Sequence, residues 1–317
     1  MTDTAVQDWL LDSDPTLRWQ VQRDLAGEPD EVWQRTRERI ATEGDGAALL
    51  ARQDPDGQWA GGAYFPADAS RDEEGQPWTA TTWTLTTLRE WGLDPAVLAG
   101  TAEKLAESSR WEYDDLPYWG GEVDVCINAM TLANGAWLGA DVSAIAAWLP
   151  EHRLPDGGWD CEWVEGSTRS SFHSTINALR GILAYEKLTG GTPELRAARH
   201  GGEEYLLERR LRYRLSTGEQ VGPWTDRIVY PYRWPFTALK AIDYFTEAAE
   251  HNGIRPDPRI GETVERVRAA RQDDGRWLQG HVYPGRVWFP LDVDPGEPSK
   301  WVTFLAQRAL NRWVGAV

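Results

Sequence analysis

Three copies of one short turn constrain this chain more than any other feature: QDPDGQW at residues 53–59, LPDGGW at 154–159 and RQDDGRW at 271–277. Looser versions are YWGG at 118–121 and QVGPW at 220–224. Aspartate followed by glycine is a turn signal, because the carboxylate can bond its own downstream backbone and glycine accepts positive φ. A tryptophan just past the glycine can fold back onto a neighbouring helix, its flat ring filling space and its N–H finding one acceptor. Nineteen tryptophans in 317 residues, against six phenylalanines and two methionines, are enough to repeat this wedge along the whole chain. Any one tryptophan is first of all a core residue; the alternative role is an aromatic cavity wall.

Each turn lies between two helical patterns. Charged, amphipathic stretches precede the turns at residues 29–43, 94–108, 142–152, 193–212 and 257–271. More apolar stretches follow at 77–91, 124–139, 171–189, 232–250 and 299–313, and a further periodic stretch, 14–26, stands near the start. A polar outer helix, a turn and an apolar inner helix, repeated five times, describe two concentric rings of helices. Gly135, Gly139, Gly181 and many alanines permit close packing of the inner ring. No strand-like alternation competes, so the expectation is a single all-α domain over residues 1–317.

Charge and composition exclude several functions. A net charge of −17 argues against nucleic acid and anionic membrane surfaces, which select basic patches. The apolar runs are far shorter than the ~20 residues of a membrane span. The opening MTDTAVQDWLLDSDP is acidic and lacks a basic-then-apolar leader, and two cysteines cannot build a disulfide framework. These features predict a cytoplasmic protein.

The inner stretches align on one another. Ile127-Asn128-Ala129-Met130 matches Ile176-Asn177-Ala178-Leu179, and more loosely Phe236-Thr237-Ala238-Leu239 and Val302-Thr303-Phe304-Leu305. In that register Asp124, His173 and Arg233 share one position and Cys126 lies opposite Thr175. Neighbouring helices run roughly 8–10 Å apart, so Asp124, Cys126 and His173 are expected to converge at the helix N-termini. Asp, Cys and His are suitable zinc ligands that leave a fourth tetrahedral position open. Cys161 is the possible fourth ligand, which would close the site into a structural one; Glu162 and His281 are weaker candidates. Taken singly, Asp124 also reads as an N-cap, Cys126 as a small buried residue and His173 as a capping or core histidine.

The DGxW turns followed by apolar helices resemble the QW-type repeats of squalene and oxidosqualene cyclases and of protein prenyltransferase β subunits. The resemblance covers nearly the whole chain and implies an α/α toroid of five to six helix pairs with a central pocket. GGEVDVC at 120–126 and SFHST at 171–175 resemble the Asp-x-Cys and His elements that hold zinc in prenyltransferase β subunits, where the metal activates an acceptor thiol. The resemblance thus implies a zinc-dependent transferase with Asp124, Cys126 and His173 as metal ligands and a hydrophobic small-molecule substrate. Trp78, Trp83, Trp119, Trp234 and Trp301 would line its pocket, with Tyr232 as a hydrogen-bond donor and Arg233 and Lys300 receiving an anionic leaving group. The segment before the Asp-x-Cys pair departs from that family: 117–123 has no basic residue to hold a diphosphate. The prenyltransferase pattern also includes a partner subunit, which this sequence does not identify.

Two other classes are carried forward. A metal-independent, squalene-cyclase-like terpenoid cyclase would use an acid cluster, of which Asp292-Val293-Asp294 and Asp114-Asp115 are partial versions. A carbohydrate-active or purely binding toroid would stack sugars on Trp159, Trp163, Trp224 or Trp288, with Glu162 or Asp294 as acids.

Overall fold

The computed structural model describes residues 4–70 and 72–315. It is all-α: α1 (Thr4–Leu11), α2 (Pro15–Asp24), α3 (Asp30–Glu38), α4 (Gly44–Leu50), α5 (Thr81–Glu90), α6 (Thr101–Ser108), α7 (Val125–Leu138), α8 (Ser143–Glu151), α9 (Phe172–Thr189), α10 (Pro193–Glu208), α11 (Ala238–Asn252), α12 (Gly261–Ala269) and α13 (Lys300–Gly315). Among the described residues β-pairing is confined to isolated bridges, such as Gln53 with Trp59 across the first turn. No helix among them is long and apolar enough to cross a membrane.

The chain divides into two compact units. The first comprises the described residues up to Gln34, Glu203–Tyr283 and the described residues from Pro290; the second comprises Arg35–Gly202 and Pro284–Phe289. In the second, α5, α7 and α9 are successive neighbours. Asn134 on α7 donates to the Thr82 carbonyl at 3.2 Å and to Thr86 Oγ1 at 3.0 Å on α5. On its other side α7 meets α9 where a Cβ on Gly181 would lie 2.3 Å from the Ala129 carbonyl oxygen, so only glycine permits that approach. In the first unit α11 packs on α13, where Asp243 accepts two bonds from Arg308, at 2.9 and 3.1 Å.

The repeated turn is one structural device used three times. Gly57, Gly157 and Gly275 have φ of 91°, 102° and 86°, in the region that favours glycine. The turns close by matching bonds, Asp54 N to Gln58 O, Leu154 N to Gly158 O and Gln272 N to Arg276 O, each 2.8 Å. The tryptophans that follow are buried and point their indole N–H back at the end of the preceding helix. Trp59 donates to Leu49 O at 2.8 Å, Trp159 to Leu149 O at 2.8 Å and Trp277 to Val267 O at 2.6 Å. Their backbone N–H groups each take a threonine hydroxyl on the α-helix that follows: Thr81, Thr175 and Thr303, at 3.0, 3.1 and 3.0 Å. One residue thus fastens two helices, satisfying backbone groups that a helix end otherwise leaves without partners.

Helices α5, α7, α9, α11 and α13 are largely buried despite their polar content, and their hydroxyls bond locally. Thr86 returns to the Thr82 carbonyl at 2.7 Å and Thr131 to the Ile127 carbonyl at 2.8 Å. Burial of polar groups costs little when each finds a partner.

The structure revises several expected boundaries. The 232–250 helix starts only at Ala238, since Pro231 and Pro235 disfavour helical backbone at the residues before them. Tyr232, Arg233 and Trp234 therefore lie in a loop rather than on an inner helix. The 94–108 stretch is broken by Gly100 at φ 82° into a 3-10 turn, Pro95–Leu98, and α6. The 193–212 helix stops at Glu208, because Arg210 and Leu211 turn left-handed at φ 48° and 60°. α1 and α4 were not anticipated.

Candidate metal centre

The start of α7 is built by its own N-cap. Asp124 Oδ1 accepts the N–H of Cys126 at 2.8 Å and of Ile127 at 3.4 Å, which places Cys126 in the first helical turn. Glu122 accepts the Asp124 N–H, and Asn128 Oδ1 accepts the Glu122 N–H at 2.7 Å, so the approach to the helix is fixed from both sides. Across from it runs a 3-10 turn, Cys161–Glu165. Trp163 in that turn donates its indole N–H to the Val123 carbonyl at 2.8 Å, drawing the turn against the residue beside Asp124. His152 lies between Trp148, stacked at 3.9 Å, and Trp163, edge-on at 4.6 Å, so the turn is also held from behind.

These constraints bring Asp124, Cys126 and Cys161 together, with their donor atoms all within 4.8 Å of one another. Cys126 Sγ and Cys161 Sγ are 3.3 Å apart, and Cys161 Sγ donates to Asp124 Oδ1 at 2.8 Å. Two donors from α9 finish the cluster: Asn177 Nδ2 reaches Cys126 Sγ at 3.2 Å and Ser174 Oγ reaches Cys161 Sγ at 3.2 Å. The hydrogen bond to the partner thiol and burial both push the Cys161 thiol well above the ordinary range. Burial likewise raises Glu122, against the lowering effect of the hydrogen bond from the Asp124 N–H, while the charge of Asp124 adds to the rise. Three acidic groups sharing so small a space repel once ionised, and a cation relieves that repulsion.

A carboxylate and two thiols are donor types that zinc takes. Bond lengths of about 2.3 Å to sulfur put two tetrahedral thiolates about 3.8 Å apart, half an ångström wider than the two sulfurs stand here.

The sequence-derived residues are distributed as follows. Asp124 and Cys126 are in the cluster, and Cys161 joins them. His173 is the second residue of α9, with its N–H on the Ser171 cap at 3.1 Å, and is not one of the three gathered donors. Aligned on their caps, Asp124 of α7 and Ser171 of α9, the helices pair His173 with Cys126 and not with Asp124. Trp78 and Trp83 meet edge to face at 4.7 Å, and Trp83 meets Tyr64 at 5.0 Å. Trp119 is a wedge whose indole N–H takes the Ala102 carbonyl of α6 at 2.9 Å. In the first unit, Trp301 stacks on Tyr230 at 4.5 Å and Trp234 is 40% exposed. Tyr232 reaches Asp243 at 3.4 Å, Arg233 is buried with its carbonyl accepting from Lys240 Nζ at 3.0 Å, and Lys300 donates to the Asp12 carbonyl. Glu162 and His281 do not enter the cluster.

Tyr64 was missed. It is buried, and burial first, then the charge of Asp124, raise its phenol well above the ordinary range, with Cys126 and Cys161 adding to this and a hydrogen bond with Gln76 opposing it. No spacing or repeat in the sequence marks it. Asn177 carried a signal, standing in the Ile-Asn-Ala triplet that α7 and α9 share. No protein-family model matches the chain, and no curated protein matches it.

Proposed function

We propose that the chain is a zinc-dependent enzyme of the prenyltransferase-like α/α-toroid branch, a transferase that activates a thiol or water against a hydrophobic substrate. The observation that carries this reading is the convergence of Asp124, Cys126 and Cys161 from two separate segments onto one point. Cys161 takes the ligand place that the resemblance gives to His173. Three protein ligands and an open fourth position are the arrangement of catalytic rather than structural zinc sites. Zinc bound there would supply Lewis acidity, lowering the pKa of a fourth, exchangeable thiol or water.

The chain's own residues do the rest. Asn177 and Ser174 hold the two sulfurs by hydrogen bonds from α9, as outer partners of metal ligands do. Asp124 is fixed by the backbone it caps, so its carboxylate needs no reorganisation to serve as a ligand. Tyr64, Trp83 and Trp78 form a continuous aromatic row in the same unit as the cluster, suited to an apolar substrate. Lys300 is engaged by Asp12 and lies 5.6 Å from the centre of the Trp9 ring, so it is given no substrate role.

The test is elemental analysis of the purified, reduced protein with three variants. Wild type is expected to hold roughly one zinc per chain, Cys126→Ser and Cys161→Ser to lose it, and His173→Ala to keep it. Wild type that takes up no zinc under reducing conditions would remove the reading.

A second reading rests on Asp292 in the first unit. Burial pushes its carboxyl up to about 6 while Ser299 and Gln279 bond one oxygen. A carboxyl that holds its proton up to about pH 6, well past the ordinary aspartate range, suits the proton donor of a metal-independent terpenoid cyclase. That activity would survive chelators and vanish in Asp292→Asn.

A further inference from the structure

We propose that Cys126 and Cys161 form a reversible dithiol–disulfide modification site whose oxidant is a small hydroperoxide, and that the oxidised form surrenders the metal. The first half stands on the positions of the two sulfurs alone; the second rests on the zinc reading above.

The geometry favours one bond between these two atoms. Both cysteines are free thiols with the sulfurs 3.3 Å apart, and a disulfide requires closure to about 2.05 Å. Cys126 is fixed in the first turn of α7, whereas Cys161 opens a short 3-10 turn and is only half-buried. A movement of about 1.2 Å by that turn makes the bond without disturbing either long helix. Cys161 itself is tied by two hydrogen bonds to the Ser174 hydroxyl, from its N–H at 3.1 Å and to its sulfur at 3.2 Å, which can rotate with the hydroxyl, while the Trp163 bond to the Val123 carbonyl keeps the turn on the side of Cys126.

Chemically the step is balanced. A hydroperoxide oxygen passes to one sulfur as the O–O bond breaks. The second sulfur attacks the first, the S–S bond forms, and the transferred oxygen departs as water. With hydrogen peroxide, both thiol protons end in the two waters produced, and the two electrons lost by sulfur reduce the peroxide. Asn177 donates to Cys126 Sγ and the Cys161 thiol donates to Asp124, so both sulfurs are held in place for the step. Once bonded to each other, neither sulfur is a thiolate donor, and the site retains only Asp124.

The experiment uses the full chain stripped of metal by a chelator under reductant, freed of reductant without air, and exposed to stoichiometric hydrogen peroxide. Peptide mapping without reduction is expected to yield one cross-linked species joining the peptides of Cys126 and Cys161, two hydrogens lighter than their sum and reversed by dithiothreitol. Protein loaded with zinc beforehand is expected to cross-link roughly tenfold more slowly or less, because metal-bound thiolates are withheld from the oxidant. The Cys161→Ser variant is expected to give a sulfenic acid on Cys126 that a dimedone probe captures. Separate sulfinic or sulfonic acids on the two cysteines, or a cross-link only between chains, would overturn the proposal. A cross-link in protein that binds no zinc keeps the dithiol site and removes the zinc reading. Zinc binding without any cross-link in the stripped protein does the reverse.

Discussion

Replacing Thr175 by valine isolates what the repeated turn contributes. Thr175 is fully buried, and its hydroxyl oxygen accepts the Trp159 N–H at 3.1 Å while lying 3.4 Å from the Trp159 carbonyl. Valine has nearly the same shape, so no cavity opens; what remains is a backbone N–H in the interior with no acceptor. Such a group costs about 1–3 kcal/mol, and the extra methyl returns up to about 1 kcal/mol, leaving a net loss of about 1–2 kcal/mol. Thr81→Val should lie at the upper end, because that hydroxyl also donates to the Gly62 carbonyl at 2.6 Å, and Thr303→Val should resemble Thr175→Val. Urea unfolding followed by far-ultraviolet circular dichroism measures all three, with Tm falling roughly 2–4 °C per kcal/mol for a folding unit of this size. Thr42→Val, at an exposed position, serves as the control. A loss below about 0.5 kcal/mol in all three buried variants, or one no larger than the control's, would refute the account of the turn as a two-helix fastener.

Two further outcomes are expected. In Gly181→Ala the new methyl meets the Ala129 carbonyl oxygen at 2.3 Å and its carbon at 2.7 Å, so α7 and α9 must part. Overpacking of about 1–3 kcal/mol against a helix-propensity gain of about 1 kcal/mol predicts a modest net loss in urea unfolding. Weaker zinc binding by titration should accompany it, since those two helices carry Cys126, Ser174 and Asn177; unchanged stability and affinity would contradict it. For Asp292, the folded carboxyl titrates at about 6 against an ordinary 3.8. Between those values the folded state keeps a proton that the unfolded chain has released, so stability is lost as pH rises through the window, by about 3 kcal/mol in full. Asp292→Asn keeps an acceptor for Ser299 and Gln279 and should flatten that stretch of the stability–pH curve. Identical curves for the two proteins would show that Asp292 is not the titrating group.

The parts of the fold readable from sequence are those governed by local rules. The Asp-Gly turns, the tryptophan after each and the capping Asp124 announce themselves, because backbone geometry within a few residues dictates the residue types. Helices α5, α7, α9, α11 and α13 also follow from their apolar content, and at Tyr232 to Trp234 the prolines on either side carry the signal against a helix. The site was half legible. Asp124 and Cys126 share a helix start, so spacing finds them, but the third donor depends on where a loop is pulled. Cys161, a possible fourth ligand in the sequence reading, stands among the three gathered donors because Trp163 bonds the Val123 carbonyl, and nothing in the pattern around Trp163 reports that partner. His173 was favoured because the shared Ile-Asn-Ala triplet suggested one register, while the caps obey another. Tyr64 comes from an irregular segment and owes its place to tertiary packing alone.

The six residues Pro284–Phe289 belong to the second unit although the chain on both sides of them belongs to the first. Trp78 donates to the Pro284 carbonyl across 206 positions of sequence, and Arg286 joins Glu73 and Asp68 across 213 and 218. On the ribosome, therefore, the second unit has nearly all its helices long before the strip that covers Trp78 and neutralises Asp68 and Glu73 exists. For that interval an aromatic face and two acids wait for partners that emerge only near the end of synthesis. Residues 35–202 expressed alone would be held permanently at that stage, with the indole N–H of Trp78 and the two carboxylates left to solvent.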